Sequence, residues 1–320
     1  MMTEYEIVRD GGAGLIDLST LRGRIRVSGS EATMFLNGLM TNDMRALAEN
    51  RWMAAVFPTV QGRLIGAVRV IRGNGPEFLI DTETASHDAV LKTISRFTLA
   101  GDFKVSDVTA ETALLTIQGQ GGAEILQLVF EGVSDLPQNG VVQITWQNVP
   151  VTIIRASHTG EDGFDIFIDS SRKAELQQAL EDAGASPVGE DTFEILRVEA
   201  GIARYGQDMD DTNVVPETNL DDAVSYTKGC YVGQEIIVRI KHRGHPAKKL
   251  TALRFETDQQ IEPGAVIRSK ENQEIGRVTS AVISPKRGSI GLGYVRYEHV
   301  ADGTRVVVGD GIEAIVGVNG

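Results

Sequence analysis

Beyond about residue 245, proline and glycine turns divide the sequence into short strand patterns, and this division is the strongest constraint on the fold. The predicted strands are Leu250–Phe255, Val266–Ser269, Gly276–Ile283, Ile290–Val295 and Arg305–Val308. We find no helical periodicity between them. Short strands at close spacing, with turn residues in between, are typical of a small antiparallel barrel or sandwich. The sequence therefore predicts a separate C-terminal β domain over 245–320.

The first 244 residues mix strand and helix patterns instead. Gly23–Gly29 alternates apolar and polar residues as a strand does, and Trp52–Pro58 with Leu64–Arg72 predicts a hairpin. Apolar residues at helical spacing follow in Ser86–Leu99. A chain of 320 residues is also too long for one ordinary core. We therefore predict an α+β protein whose first region, 1–244, precedes the β domain.

Turn and cap residues give further local predictions. Ser30 precedes an apolar helical pattern and is a candidate N-cap, and Asp191 with Glu194 has capping-box spacing. Val141–Ser157 predicts a long hairpin bent at 148–150. The stretch GQGGAE, at 119–124, lacks the third glycine of a dinucleotide fingerprint, so it predicts a tight turn rather than a Rossmann site.

Composition excludes several classes of protein. The sequence has no run of about 18 apolar residues, so no transmembrane helix is expected. Its N-terminus lacks the apolar region of a secretory signal. A single cysteine forms no intrachain disulfide and cannot supply the four thiolates of an iron–sulfur cluster. We therefore expect a cytoplasmic protein with no membrane partner.

Charge is unevenly distributed along the chain. The net charge is −13, so direct nucleic-acid binding is not expected. The segment Lys228–Arg254 nevertheless carries seven cationic residues and one acid, a net charge of +6 that leaves −19 on the rest. Two interpretations stay open. This segment is either a solvated basic edge of the barrel or a patch for a polyanion, such as the glutamate tail of a small molecule, a nucleic acid or an acidic protein.

The densest chemistry lies in Lys228–Glu235, which reads KGCYVGQE and contains the only cysteine. Gly229 and Gly233 bracket a thiol and a phenol, and glycine allows a ligand or another chain segment to approach closely. A thiol near a cation can have a lowered pKa and be reactive. Cys230 is therefore a candidate reactive group, the alternative being a small buried hydrophobic residue.

This octapeptide resembles the signature KGCYxGQE of the YgfZ folate-binding family at every specified position. That family is a branch of the aminomethyltransferase (glycine-cleavage T-protein) superfamily. Further stretches resemble the superfamily in the same order: LIDLS (15–19), FLNGLMTND (35–43), SHTGEDGFDI (157–166) and LRVEAGIARYGQDM (196–209). The resemblance implies a T-protein-like, multi-lobed folate-binding region of two interleaved lobes, followed by a small antiparallel β-barrel.

The resemblance also implies a cofactor, tetrahydrofolate or a one-carbon-substituted folate, in a central pocket. Glu161 would accept hydrogen bonds from the pterin ring, the alternative being a polar turn made by GEDG. Arg197 would clamp a folate carboxylate, the alternative being an ordinary helix-surface charge.

The octapeptide would line this pocket or its rim. Lys228 would supply charge, Tyr231 a stacking face or a phenol, and Gln234 an amide. Cys230 would lie beside the one-carbon position of the folate as a nucleophilic or redox group, and it is the candidate catalytic residue. No metal site is expected.

Three functions stay open from the sequence. The YgfZ resemblance implies a folate-binding protein that supports iron–sulfur cluster assembly or repair in client enzymes, including tRNA-modifying ones. The second is a folate-dependent aminomethyltransferase, but Ile65 and Gly66 occupy the places in Gly62–Val70 where T-proteins carry an acidic pair, and proton transfer needs a titratable group. The third is a tRNA- or protein-binding accessory factor that uses the basic segment without catalysis.

Overall fold

A computed structural model describes residues 2–131, 133 and 135–317. Its helices are α1 (Glu4–Arg9), α2 (Ala32–Leu39), α3 (Thr84–Ser95), α4 (Gly122–Val129), α5 (Lys173–Asp182), α6 (Glu190–Glu199) and α7 (Gln234–Arg243). Single 3-10 turns occur at Ser170–Arg172, Val215–Glu217, Asp221–Ala223 and Tyr297–His299. None of these described helices has the length and apolar character needed to cross a bilayer.

The strands form three sheets. They are β1 (Gly14–Asp17), β2 (Arg22–Ser28), β3 (Arg51–Pro58), β4 (Leu64–Arg72), β5 (Phe78–Glu83), β6 (Lys104–Asp107), β7 (Thr112–Gln118), β8 (Val141–Trp146), β9 (Val149–Arg155), β10 (Gly163–Asp169), β11 (Ser186–Pro187), β12 (Lys248–Phe255), β13 (Val266–Arg268), β14 (Glu274–Ser284), β15 (Gly288–Arg296), β16 (Arg305–Val308) and β17 (Ile312–Val316).

The first region contains two lobes, each a sheet covered by helices. One sheet has the order β11-β1-β7-β10-β9-β8 and packs against α4 and α5, and the other has the order β3-β4-β5-β2-β6 and packs against α2 and α3. The chain leaves the first sheet after β1, builds the whole second sheet and returns at β7. The strands of the second sheet therefore lie, in sequence, between strands of the first. Because β7 pairs antiparallel with β1 and β10, the glycine turn after it is not part of a parallel dinucleotide-binding sheet.

The C-terminal domain is a closed six-stranded barrel with the order β12-β15-β14-β13-β16-β17. The predicted α+β fold with a C-terminal antiparallel barrel is confirmed. Within the barrel, sequence patterns missed one strand, Ile312–Val316, which closes the barrel by pairing with both β12 and β16. The barrel strands begin at Lys248, and the domain boundary after residue 244 stays a prediction.

Several local predictions are corrected. Ser30 does not cap α2; its hydroxyl donates to Asp102 at 2.9 Å. Asp191 is not an N-cap either, because α6 begins at Glu190 with Gly189 at the cap. The long hairpin turns at 147–148, one residue before the predicted bend, because Gln147 and Asn148 both adopt positive φ angles.

The basic segment is more than a barrel edge. Lys248, Lys249 and Arg254 lie on β12, but Arg239 and Lys241 lie on α7, a helix that the sequence analysis did not predict. The helix follows Gly233 and ends before Gly244, and both glycines have positive φ angles. Glycines are common at helix ends. In the sequence, however, Gly233 was interpreted as part of the reactive octapeptide and not as the start of a helix.

Candidate functional site

A cavity of about 240 Å³ lies where β3 and β4 meet α6 and the chain that follows it. Three aromatic side chains line it, Trp52, Phe193 and Tyr205, together with small residues such as Ala54 and Ala67. Burial raises the pKa of Tyr205 to about 12, helped by nearby carboxylates, so its phenol keeps its proton. Flat aromatic and apolar walls with a few polar groups are typical of a small-molecule site.

The charged residues that line this cavity are mostly cationic. They comprise four arginines, one histidine and one carboxylate: Arg22, Arg69, Arg197, Arg204, His158 and Glu83. An excess of guanidinium groups around apolar walls suits a ligand with a flat ring system and negatively charged groups. What each arginine can still bind depends on the contacts that it already makes.

Two of these arginines belong to a buried ionic network. Arg22 Nη2 lies 2.7 Å from Asp81 Oδ2, Arg69 Nε donates to the same oxygen at 2.7 Å, and Arg69 Nη1 lies 2.6 Å from Asp165. Burial alone would raise the pKa of Asp81, but the two guanidinium groups outweigh it and lower the pKa. The pKa of Asp165 is lowered in the same way, by His158 and Arg69. This network fixes one wall of the cavity.

Arg197 lies in the cavity wall, but its side chain is only 1% exposed. Its guanidinium donates to Glu194 through two nitrogens, to the carbonyl of Ile202 at 2.7 Å, to Asp208 at 2.6 Å and to Ser280 Oγ at 2.8 Å. These contacts use all five guanidinium N–H groups. The predicted clamp on a folate carboxylate stays a prediction, and it would require one of these bonds to open.

Arg204 is the arginine that sequence reasoning missed. It lies in the motif-like stretch at 196–209 and lines the cavity, yet its side chain makes no hydrogen bond to any described residue. Its nearest carboxylates are Glu194 at 3.6 Å and Glu83 at 3.9 Å. Sequence alone cannot separate it from Arg197, because both are arginines beside apolar residues. Only the contacts show which one has unused donors.

Glu161 is held outside this lining. Arg9 Nη1 donates to Glu161 Oε1 at 2.9 Å, and Arg9 Nη2 donates to the buried Glu199 at 2.6 Å. Glu161 is not among the residues that line the cavity. Its role in pterin recognition stays a prediction.

The octapeptide lies behind the cavity wall. Lys228 is buried, and its Nζ donates to the backbone carbonyls of Asn37, Met40 and Asn42 at 2.6–2.8 Å. The carbonyls of Asn37 and Met40 lie at the C-terminal end of α2, so the ammonium caps the negative end of that helix. Burial lowers the pKa of Lys228 to about 8.

Tyr231 connects the octapeptide to the cavity. Its ring is buried against Met209 and Ala223, two residues that line the cavity from the other side. Its hydroxyl has no hydrogen-bond partner among the described residues, and burial raises its pKa to about 12. Lys228 Nζ lies 4.9 Å from the centre of the ring. Tyr231 therefore supports the wall from behind, and direct contact with a ligand stays a prediction.

Cys230 and Gln234 lie further from the cavity. Cys230 is exposed, and Gln234 Nε2 lies 3.4 Å from the backbone carbonyls of Lys228 and Gly229. Neither residue is among those that line the cavity. Their catalytic and cofactor-binding roles stay predictions, and a role for the thiol in this geometry requires a reactant that approaches from solvent.

We expect alanine to be tolerated at one glycine of the octapeptide and not at the other. Gly233 has a φ of +77°, and a Cβ there would lie 2.3 Å from the carbonyl oxygen of Thr59. Gly233→Ala should therefore destabilise the protein by about 2 kcal/mol. A Cβ on Gly229 meets nothing within 4 Å, so Gly229→Ala should change stability by less than about 0.5 kcal/mol. Equal urea midpoints for the two variants would contradict this assignment.

The segment that replaces the acidic pair is apolar in the structure as well. Ile65 packs against the core between the second sheet and its helices, and a Cβ on Gly66 would lie 2.6 Å from Val90. The cavity is lined on this strand by Ala67, Val68 and Arg69. The carboxylate of the lining is instead Glu83, which ends β5. No group of three or more metal-ligating side chains occurs among the described residues.

The structure is that of an α+β protein with an arginine-rich cavity and a separate barrel. Residues 1–228 match the family described as GCVT N-terminal domain, and residues 248–314 match the glycine cleavage T-protein C-terminal barrel domain. The chain therefore belongs to the glycine cleavage T-protein (aminomethyltransferase) family. This membership confirms the superfamily predicted from sequence, whereas the YgfZ branch stays a prediction.

Individual relatives agree with this assignment. An aminomethyltransferase of Rubrobacter xylanophilus is 32% identical, over 91% of this chain and 78% of the relative. One of Thermotoga neapolitana is 31% identical, over 95% of this chain and 84% of the relative. The crystal structure of glycine cleavage system aminomethyltransferase T from Bartonella henselae has a TM-score of 0.89 over 98% of this chain and 87% of that one. At 24% identity, that last similarity shows the fold.

Proposed function

We propose that this protein binds tetrahydrofolate in the cavity and transfers a one-carbon unit, as a folate-dependent transferase of the aminomethyl or methyl class. Tetrahydrofolate is the cofactor of the T-protein family. The observation that carries the proposal is the lining of the cavity, in which aromatic rings and an excess of arginines meet. A folate has a flat ring system, which suits the aromatic walls, and a negatively charged glutamate tail, which suits Arg204, the lining arginine whose side chain makes no hydrogen bond to a described residue.

The relatives are named aminomethyltransferases, which favours one-carbon transfer over a role in iron–sulfur cluster assembly. The octapeptide alone favoured the iron–sulfur role. The absence of acids at Ile65 and Gly66 argued against transfer, because the reaction needs a titratable group near the folate. Glu83 supplies a carboxylate in the lining from another strand. The lack of acids at Ile65 and Gly66 therefore argues less strongly against a transferase.

A second candidate function is favoured by the exposed thiol. Cys230 is the only cysteine and lies at the surface, beside α7. An exposed thiol could meet a partner protein, in line with a YgfZ-type role in iron–sulfur cluster assembly or repair in client enzymes, including tRNA-modifying ones. For both candidates we propose a cytoplasmic location, in line with the single cysteine, and a bound folate.

The two tryptophans provide a direct test of folate binding. Trp52 lines the cavity, whereas Trp146 is buried in the core of the first lobe. Titration with tetrahydrofolate should quench the fluorescence of Trp146→Phe, in which Trp52 is the remaining indole. Trp52→Phe should bind the folate in calorimetry with little quenching. Absence of saturable binding to the unmodified protein would overturn the proposal.

Cys230→Ala separates the two candidates. For a transferase that works inside the cavity, this exposed residue is dispensable, so tetrahydrofolate binding and turnover should stay within about twofold. Loss of iron–sulfur enzyme activity in cells that carry only Cys230→Ala, with folate binding intact, would support the second candidate. Retention of every activity would remove any chemical role for the thiol.

A further inference from the structure

A second cavity, of about 740 Å³, lies between the C-terminal barrel and the chain that follows α6. One of its walls is formed by residues between 206 and 213, and the other by the strands β12, β14 and β15. Of the described residues, only Met209 lines both this cavity and the first one. We call the second cavity the barrel cleft. Clefts at domain junctions are common places for a small ligand.

Two cationic residues of the barrel cleft face each other. Lys248 on β12 and Arg296 on β15 are direct partners in the strand register, so their side chains leave the sheet on the same face. Like charges in this arrangement repel. Arg296 makes no ion pair or hydrogen bond with any described side chain, and the nearest carboxylate to Lys248 Nζ is that of Glu217, at 3.9 Å. A bound anion would relieve this repulsion and would meet unused donors.

Tyr294 adds a neutral donor beside the two cations. It lies two residues before Arg296 on β15, and therefore on the same face of the sheet, with Lys248 Nζ 4.7 Å from the centre of its ring. Its hydroxyl is buried and has no hydrogen-bond partner among the described residues. Burial, together with nearby carboxylates, raises the pKa of this phenol well above its ordinary range, so it keeps its proton. A ligand oxygen could supply the missing partner.

Most carboxylates of the barrel cleft are already bonded to arginines. Asp208 lies 2.6 Å from Arg197, and Glu274 lies 2.9 Å from Arg277. Asp210 also lines the cleft, and its side chain accepts from the backbone of the same loop. Among the described groups of this lining, two cations and one carboxylate are thus left without an ion pair within the cleft. The charge available to a ligand is therefore positive.

We propose that the barrel cleft binds the phosphate group of a small organic phosphate. Lys248 and Arg296 neutralise its charge, and Tyr294 donates the third hydrogen bond. A phosphate monoester carries a charge of about −1.5 to −2 and three strong acceptor oxygens, which match two cations and three donor groups. A carboxylate has one charge and two oxygens and matches them less well. Ile275 and Met209 give the cleft an apolar wall for the organic part. This inference does not depend on folate binding.

Calorimetric titrations with phenyl phosphate and benzoate test the ligand class, because both probes carry one phenyl ring and differ in the anionic group. We expect saturable binding of phenyl phosphate, about 10-fold tighter than benzoate or better, and competition by inorganic phosphate. Equal affinity for benzoate would overturn the assignment to phosphates. Absence of saturable binding of both phosphates would overturn the site itself.

Three variants locate the binding. Arg296→Gln and Tyr294→Phe should each weaken the binding of phenyl phosphate by about 10-fold, since hydrogen bonds to charged groups carry that much affinity. Lys249→Gln is the control and should stay within about twofold, because Lys249 is the next residue on β12 and lies on the opposite face of the strand. An equal loss in Lys249→Gln would mean general attraction to the basic segment and would overturn the proposal.

The stability of the same variants separates binding from folding. Arg296→Gln removes one of two facing cations, and Tyr294→Phe removes a buried hydroxyl without a partner. Neither change should lower the urea midpoint of the protein without ligand. Weaker binding at an unchanged midpoint supports the site. A lowered midpoint for both variants, with unchanged affinity of the folded protein for phenyl phosphate, would mean that these residues are structural and would overturn the proposal.

Discussion

Replacing Arg197 with methionine is expected to lower the free energy of unfolding by about 3–5 kcal/mol, because the change leaves a buried carboxylate without its cation. Arg197 and Asp208 have side chains that are 1% and 0% exposed, and they lie 2.6 Å apart. The same guanidinium also reaches Ser280 on β14. Arg197 thus joins α6, the chain after it and the barrel through one buried group.

Urea unfolding followed by circular dichroism would measure this loss, with Arg239→Met as the control. Arg239 is an exposed residue of α7 that pairs with Glu235 one helical turn away, so its removal should cost less than about 0.5 kcal/mol. Adding Asp208→Asn to Arg197→Met should recover part of the loss, since it removes the unpaired charge. Normal stability combined with lost folate binding would instead mean that Arg197 is a ligand clamp.

This network also shows what the sequence could not reveal. The stretch at 196–209 could be recognised from its residues, and helical spacing placed Arg197 among apolar neighbours. However, its partners Asp208 and Ser280 come from a loop and from the barrel, 11 and 83 positions away. Periodicity reports which face of a helix is apolar, and not which distant groups meet there. A functional role and a structural role therefore looked the same.

Fold class was more accessible than the site, because it depends on local patterns. Alternation predicted the hairpin of β3 and β4, and turn residues predicted the barrel. The strand at Ile312–Val316 was missed because it is only five residues long and directly follows two glycines, Gly309 and Gly311, which were interpreted as turn residues. The helix at Gln234–Arg243 was missed because its polar residues were assigned to chemistry instead of a solvent-exposed face.

The residues with the clearest chemical motif in the sequence are not the residues that line the cavity. The octapeptide was the clearest signal in the sequence, yet Lys228 caps α2 and Tyr231 supports the cavity from behind. Glu83 and Arg204 gave no signal, because a glutamate at the end of a strand and an arginine in a loop are ordinary surface residues in a sequence. A cavity is formed by residues from many segments, so its lining follows from tertiary structure alone.

The second large effect is expected at Asp81, which is buried between two arginines. Arg22 and Arg69 both donate to this carboxylate, at 2.7 Å each, and its side chain is 0% exposed. Asp81→Asn removes the charge that both cations share and leaves them facing each other. We expect a loss of about 3–5 kcal/mol in the free energy of unfolding near pH 7. Asp88→Asn, at an exposed position of α3, is the control and should change it by less than about 0.5 kcal/mol.

The same residue predicts how stability depends on pH. The pKa of Asp81 is lowered in the folded state by Arg22 and Arg69, against the effect of burial, so the unfolded chain takes up a proton first as pH falls. The stabilisation from this carboxylate is therefore complete above its ordinary pKa of 3.8 and is lost below it. The difference in stability between the unmodified protein and Asp81→Asn should be constant from pH 7 to about pH 5 and shrink below about pH 4. A difference that stays constant down to pH 3 would mean that Asp81 contributes through packing, and that its charge does not hold the arginine wall of the cavity in place.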